Sequence, residues 1–141
     1  MSYLVHARID AARLNSEVCA PHLGGATTFI GSVRRSPEDG PVEAIEYTAY
    51  QEMADREFDR IIAEVSDRWP DARVALQHRV GHVPTGEASM AVVAASPHRS
   101  DAFAACRYVV EEAKKRVPIW KKEIMAGGTA RWRGNSTEQS G

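Results

Sequence analysis

Cysteine is scarce: Cys19 and Cys106 are the only two in 141 residues, with no C-x-x-C pair and no framework for disulfides. That pattern fits a reducing compartment. Net charge is nearly absent too, at −1 with histidine neutral, so no overall field draws the chain to nucleic acid or to an anionic membrane. No apolar run could span a bilayer, and Met1-Ser2-Tyr3-Leu4-Val5-His6-Ala7-Arg8 lacks the hydrophobic stretch of a secretory leader. A glycine-rich phosphate cradle, a G-x-S-x-G elbow and zinc spacing are all missing. His78 and His82 are four apart, but Gly81 and the β-branched neighbours place them on strand and turn, where that spacing gives no shared face for a metal. His6 and His22 read as surface residues. The expectation is a soluble cytoplasmic protein with no metal and no cofactor, in which any anion site must come from locally gathered cations.

Such a gathering exists. Lys114-Lys115-Arg116-Val117-Pro118-Ile119-Trp120-Lys121-Lys122-Glu123 holds five cationic side chains around an apolar Val-Pro-Ile-Trp centre. Pro118 ends the helix before it, because proline donates no N–H and disfavours helical backbone at Val117. Lys114 therefore belongs to a last helical turn, and Lys121 to the chain beyond the bend. Phe103, Cys106, Val110, Ala113 and Val117 recur at steps of three and four, the mark of one buried helix face. At ~100° per residue Lys114 lies roughly 60° from the centre of that face, and Lys115 nearly opposite it. Lys114 is the functional candidate of the pair; Lys115 is expected in water, paired with Glu111. Cys106, on the apolar face, reads as an inert buried thiol.

The chain as a whole, at 43% hydrophobic content, suits one self-folding domain over residues 1–134, with a polar tail at 135–141 expected to be disordered. Tyr3 to Ile9 reads as a strand, and Asp10 to Cys19 as a short helix capped by Asp10. Ala26 to Val33 is a buried strand, Arg34 to Pro41 a polar and mobile loop, and Val42 to Tyr50 the second arm of a hairpin. Glu52 to Trp69 has helical spacing and is stopped by Pro70. Arg73 to Val80 and Glu87 to Ala95 are strands joined through Gly81 and Pro84-Thr85-Gly86. Ser96-Pro97 opens the second long helix as cap and first residue. One more strand follows Pro118, with Gly127-Gly128 as a turn. This order argues for α+β with a mostly antiparallel sheet and two long helices. Trp69, Trp120 and Trp132 are expected to pack.

Two further cation pairs stand out. His98 and Arg99 fall in the first turn of the second long helix, where an arginine works against the helix dipole unless an anion is bound. Arg34 and Arg35 stand where a buried strand meets a loop, and arginine holds phosphate bidentately.

These pieces together resemble one family. Gly25-Ala26, Phe29-Ile30-Gly31-Ser32-Val33-Arg34, Glu46-Tyr47, Tyr50, Met53, His78-Arg79-Val80-Gly81, Ser96-Pro97-His98-Arg99, Ala102-Phe103 and Lys114 with Pro118-Ile119-Trp120-Lys121-Lys122-Glu123 are similar, in order, to the large catalytic subunit of molybdopterin synthase. The resemblance covers about Gly25 to Trp132, and its most specific part is the Pro-Ile-Trp-Lys-Lys-Glu run with an upstream lysine. It implies an α/β-hammerhead fold and a homodimer that carries a small ubiquitin-like subunit ending in a Gly-Gly thiocarboxylate. It also implies transfer of two sulfurs to cyclic pyranopterin monophosphate, a step of molybdenum cofactor biosynthesis. By position, Lys114 and Lys121 match catalytic lysines. Ser32, Val33, Arg34, His98, Arg99, Lys122 and Glu123 match substrate-contacting positions, and Arg131 or Arg133 could reach a neighbouring protomer's pocket.

The competing reading is a non-catalytic dimeric module that binds a phosphorylated metabolite or an acidic C-terminal peptide. A Schiff-base lyase is a third, using one desolvated lysine. What favours sulfur transfer is the second lysine beyond Pro118, which simple anion binding does not require.

Overall fold

The computed structural model describes residues 2–35 and 40–133. Two four-stranded sheets share three helices. The first sheet runs β1 (Leu4–Val5), β4 (Arg73–Arg79), β6 (Ala88–Ser96) and β2 (Gly25–Ser32) from edge to edge. The second runs β5 (Gly81–Pro84), β3 (Val42–Ala49), β7 (Ile119–Met125) and β8 (Ala130–Arg133). Among the described residues only β1 with β4 is a parallel pair; the others are antiparallel. The α+β, mostly antiparallel expectation is met.

The helices are α1 (Ala11–Val18), α2 (Gln51–Arg68) and α3 (Arg99–Arg116). Asp10 caps α1 by accepting the backbone N–H of Arg13, as its position before the apolar periodicity implied. α1 covers one face of the first sheet, setting Leu14 and Val18 against Ala91, Val93 and Ala95. α3 covers the other face and carries α2 on its flank, around a core that includes Phe58, Ile61, Val65, Val92, Val109 and Val117. Almost every side chain of β6 is buried, because helices lie on both sides of this central strand.

Several expectations change. The first strand is two residues and not seven. Arg34 to Pro41 joins no hairpin, since β2 and β3 lie in different sheets; its residues 36–39, like the tail at 134–141, fall outside the described residues. Gly81 to Pro84, read as part of a turn, is a strand of its own that crosses to pair with β3. Gly81, at φ 90°, supplies the left-handed backbone that lets the chain leave one sheet for the other. The segment after Pro118 forms two paired strands about a turn at Gly127-Gly128.

The buried face of α3 is turned as well. It is formed by Ala102, Ala105, Cys106, Val109, Val110 and Ala113, about 50° from the expected stripe at ~100° per residue. Phe103 is 58% exposed. Alanines let the helix axis settle close onto the sheet, and their small side chains count for little in a reading led by large residues. Trp120 and Trp132 are also exposed, at 37% and 63%, and neither joins the core; Trp120 meets the Tyr50 ring at its surface, whereas Trp69 packs partly against the core.

Candidate active site

α3 ends as its sequence requires. Val117 is the C-cap, in extended conformation at φ −77° and ψ 127°, because Pro118 follows it. Lys114, Lys115 and Arg116 fill the last turn, where the negative end of the helix dipole favours cations. The chain then turns directly into β7. Its register on β3 sets Lys121 opposite Tyr47, Lys122 opposite Glu46 and Glu123 opposite Ile45.

Strand alternation separates the three charged residues of β7. Lys121 and Glu123 share the inward face with Ile119 and Met125. Lys122 lies on the outward face, where its ammonium pairs with Glu46 at 3.3 Å and sits 5.3 Å above the Trp132 ring. The Glu123 carboxylate is buried and accepts from Arg131 Nε at 2.9 Å. Arg131 is thus engaged within its own chain; the side chain of Arg133 lies outside the described residues.

Lys114 and Lys121, from opposite sides of Pro118, act on the same buried ring. His78 of β4 is 8% exposed, faces inward with Leu76 and Val80, and stands edge to face with Tyr47 at 5.0 Å between centroids. Burial holds its pKa down to about 4, with the Lys121 and Lys114 ammoniums adding to the depression and a hydrogen bond to the Arg79 carbonyl opposing it. Burial likewise raises the Tyr47 hydroxyl; the nearby Glu123 carboxylate adds to this, and a hydrogen bond with Ser89 opposes it. Lys114, Lys121, Glu123, Tyr47, His78 and Ser89 therefore form one cluster drawn from α3, β7, β3, β4 and β6. Among the described residues no carboxylate pairs with Lys114. Among the described residues Lys115 pairs at 3.7 Å with Glu112, three residues back, and not with Glu111.

Ser32, Val33 and Arg34 lie at the same end of the first sheet. Ser32 is opposite Ala88, and Val33 is buried, donating to Glu87 O at 3.0 Å and accepting from Gly86 N at 2.7 Å. α3 runs back along β6 from Ser96, so its last turn overlies this end, next to Met90 and its partner His78. Arg34 is exposed beyond the strand, and Arg35 Nε donates to Val42 O at 3.3 Å.

His98 and Arg99 are elsewhere. His98, and not Ser96, is the N-cap of α3; it makes no side-chain capping bond, and Arg99 is the first helical residue, with both exposed. At 1.5 Å per residue Arg99 lies ~22 Å along the axis from Lys114. Gly25 allows this arrangement, since a Cβ there would come within 3.0 Å of Arg99 Cα.

Sequence reasoning weighed His78 as a metal ligand and as part of the His78-Arg79-Val80-Gly81 stretch, and gave it no role in the site. Alternation along β4 was the available signal: Leu76, His78 and Val80 share the inward face, so the histidine had to be buried.

A family model described as MoaE protein matches residues 4–116. This chain belongs to the MoaE family. A relative named molybdopterin synthase catalytic subunit from Nostoc sp. is 42% identical over 120 residues, covering 84% of this chain and 73% of its own. The relative of that name from Drosophila pseudoobscura pseudoobscura is 38% identical over 135 residues, 94% of this chain but only 37% of its own length. The molybdopterin synthase structure from Staphylococcus aureus superposes with a TM-score of 0.89 at 32% identity, over 94% of this chain and 96% of that one. A Helicobacter pylori structure, a complex of subunits 1 and 2 of molybdopterin-converting factor, shares the fold at a TM-score of 0.76 and 19% identity, over 97% of this chain and 90% of that one.

Proposed function

We propose that this MoaE-family chain is the catalytic subunit of a molybdopterin synthase. In this reading it moves sulfur from the C-terminal thiocarboxylate of a small ubiquitin-like partner to cyclic pyranopterin monophosphate, in the cytoplasm. The observation that carries the reading is the convergence of Lys114 and Lys121 on one buried cluster from either side of Pro118. Both reactants are anions, and attack at an acyl or pterin carbon builds further negative charge. Two ammoniums in a partly dry site stabilise that charge more strongly than they would in water. Lys114 and Lys121 are assigned to the thiocarboxylate and the reacting pterin side chain, and Ser32, Val33 and Arg34 to the phosphate end. Glu123, through Arg131 and Tyr47, steadies the inward face of β7.

His98 and Arg99 belong to the same phosphate site in this reading. Since ~22 Å separates Arg99 from Lys114 along one helix, they serve it only from a second copy. That distance is what favours a homodimer with shared sites.

The test combines the protein with a thiocarboxylated ubiquitin-fold partner and the pyranopterin phosphate, and follows dithiolene product. Wild type should form it and Lys114→Ala should not; near-normal conversion by Lys114→Ala would overturn the assignment. Co-assembled Lys114→Ala and Arg99→Ala chains should recover activity that neither has alone, because each mixed dimer keeps one intact site. No recovery would refute sharing between copies.

A further inference from the structure

Each sheet has two edge strands, and an edge strand offers unpaired backbone N–H and C=O groups to any extended chain. Three of the four edges are blunted. β1 is two residues long, β5 is four and ends in Pro84, and β8 carries Arg131 and Arg133. β2 has none of these devices. It runs for eight residues, Gly25-Ala26-Thr27-Thr28-Phe29-Ile30-Gly31-Ser32, without a charge or a proline, and among the described residues only β6 pairs with it. Ile30 stands exposed on it. The helix above is open on the same side. α3 lies over β6 and β2, with Tyr108 and Arg116 turned to Glu64 of α2. Tyr3, beside β1, packs on Phe58, so α2 stands toward the β1 side. Phe103 lies ~140° around α3 from both Tyr108 and Arg116, hence toward the β2 edge, and its ring is exposed. Arg99 and Lys114 fall within ~40° of Phe103 and share that flank.

We propose that β2 pairs antiparallel with β2 of a second copy, about a two-fold axis at Phe29, so that each copy's Arg99 reaches the other's Lys114. Levels along the strand carry this. A Cβ on Gly25 would lie 3.0 Å from Arg99 Cα, so Arg99 stands over Gly25. Cys106 Sγ donates to Val92 O at 3.8 Å, and Val92 is the register partner of Phe29, so Cys106 stands at the level of Phe29. Lys114 is ~12 Å further along α3, about the length of four strand residues, which brings it level with Val33. Facing residues of an antiparallel pair share a face of the sheet, so a two-fold axis between identical strands falls on a residue and not between two. With Phe29 on the axis, Gly25 of the second copy faces Val33, and the Arg99 above it comes level with Lys114. The ~22 Å between these two groups within one chain is thereby closed by the copy. The two Phe103 rings meet ~9 Å apart along the seam, where each shields the other from water.

This joint deepens the shared-site reading above and rests on it only for the meeting of Arg99 with Lys114; the edge pairing stands on the strand itself. Sedimentation of the full chain should show a dimer. Phe103→Asp, and independently Ile30→Lys, which gives β2 the kind of charge that blunts an edge, should each raise its dissociation constant roughly tenfold or more. Hydrogen exchange reads the edge directly. Successive residues of a strand aim their N–H groups to opposite sides, so β6 alone protects every second amide of β2. In the wild-type dimer all amides from Ala26 to Ile30 should exchange slowly, and in the dissociated variants alternate ones should become fast. A monomeric wild type, a dimer that neither variant weakens, or a dimer whose alternate β2 amides stay fast would overturn the proposal. Protection that arises only when a thiocarboxylated ubiquitin-fold partner is added would overturn it too, by giving the edge to that partner. A dimer paired through β2 that forms no dithiolene product would uphold the joint and count against sulfur transfer alone.

Discussion

Lys114 and Arg116 are two residues apart on one helical turn, and their environments are opposite. Arg116 donates to Glu57, Glu64 and Glu112 at once, at 2.7 to 3.1 Å, tying the end of α3 to α2. Glu64 is held down to about 2, first by Arg116 and then by the Tyr108 hydroxyl that also donates to it. Lys114, around the same turn, pairs with no carboxylate among the described residues, and its charge helps to depress the His78 pKa. Between them Lys115 pairs with Glu112 from an exposed position. The comparison teaches that one cationic run can divide its labour by angle alone. Arg116 is spent on tying α3 to α2, Lys114 pairs with no carboxylate among the described residues, and Lys115 stands exposed.

Substitutions can break that division, and the largest effect should come from the ligand side. Lys114→Ala or Lys121→Ala should lower dithiolene formation by roughly a hundredfold or more, the scale of losing a charge-stabilising group, while thermal unfolding shows little change. Next comes the pH dependence of stability. The native His78 titrates at about 4 against about 6.5 when unfolded, so the unfolded state takes the proton first as pH falls. Stability should therefore decline between pH ~6.5 and ~4 by about 3 kcal/mol, an upper figure for one buried ring, and His78→Gln should flatten that window. Glu87, held down to about 2 by hydrogen bonds from Arg8 and Arg79, acts lower, its contribution fading as pH drops from about 4.5 toward 2. Denaturant titrations across pH separate the two.

On the structural side of the comparison, Arg116→Ala should cost about 1–2 kcal/mol. The figure is discounted because the arginine side chain is 26% exposed and its partners are partly screened. Calorimetry should register the loss, with activity per folded molecule largely kept. Lys115→Ala should be close to silent in both assays, within about 0.5 kcal/mol. If Lys115→Ala matched Lys114→Ala in lost activity, the division by helix angle would be wrong.

Much of this site could be read from residues alone because it is written in local chemistry. Pro118 needs no tertiary contact to stop a helix, and Asp10 needs none to cap one. The expectation that Lys114 lies nearer the core than Lys115 came from angular spacing, and the burial of the two agrees with it even though the buried face of α3 is rotated by about 50°. It held because Lys115 remains the more outward of the two. Lys122 was matched to a substrate-contacting position by resemblance; a strand sends neighbours to opposite faces, so Lys122 points away from Lys121 and pairs with Glu46.

The sequence by itself determined where the helices stop, which lysine turns inward, and that the sheets are mainly antiparallel. All of these follow from backbone stereochemistry and periodicity within a few residues. Tertiary structure alone decided that Gly81 to Pro84 would cross between sheets, that Phe103, Trp120 and Trp132 would be exposed, and that His78 would be buried against Tyr47. It also set the His98-Arg99 end of α3 far from its Lys114 end. Those outcomes depend on which surfaces meet across long sequence separations, and no local pattern of side chains encodes that choice.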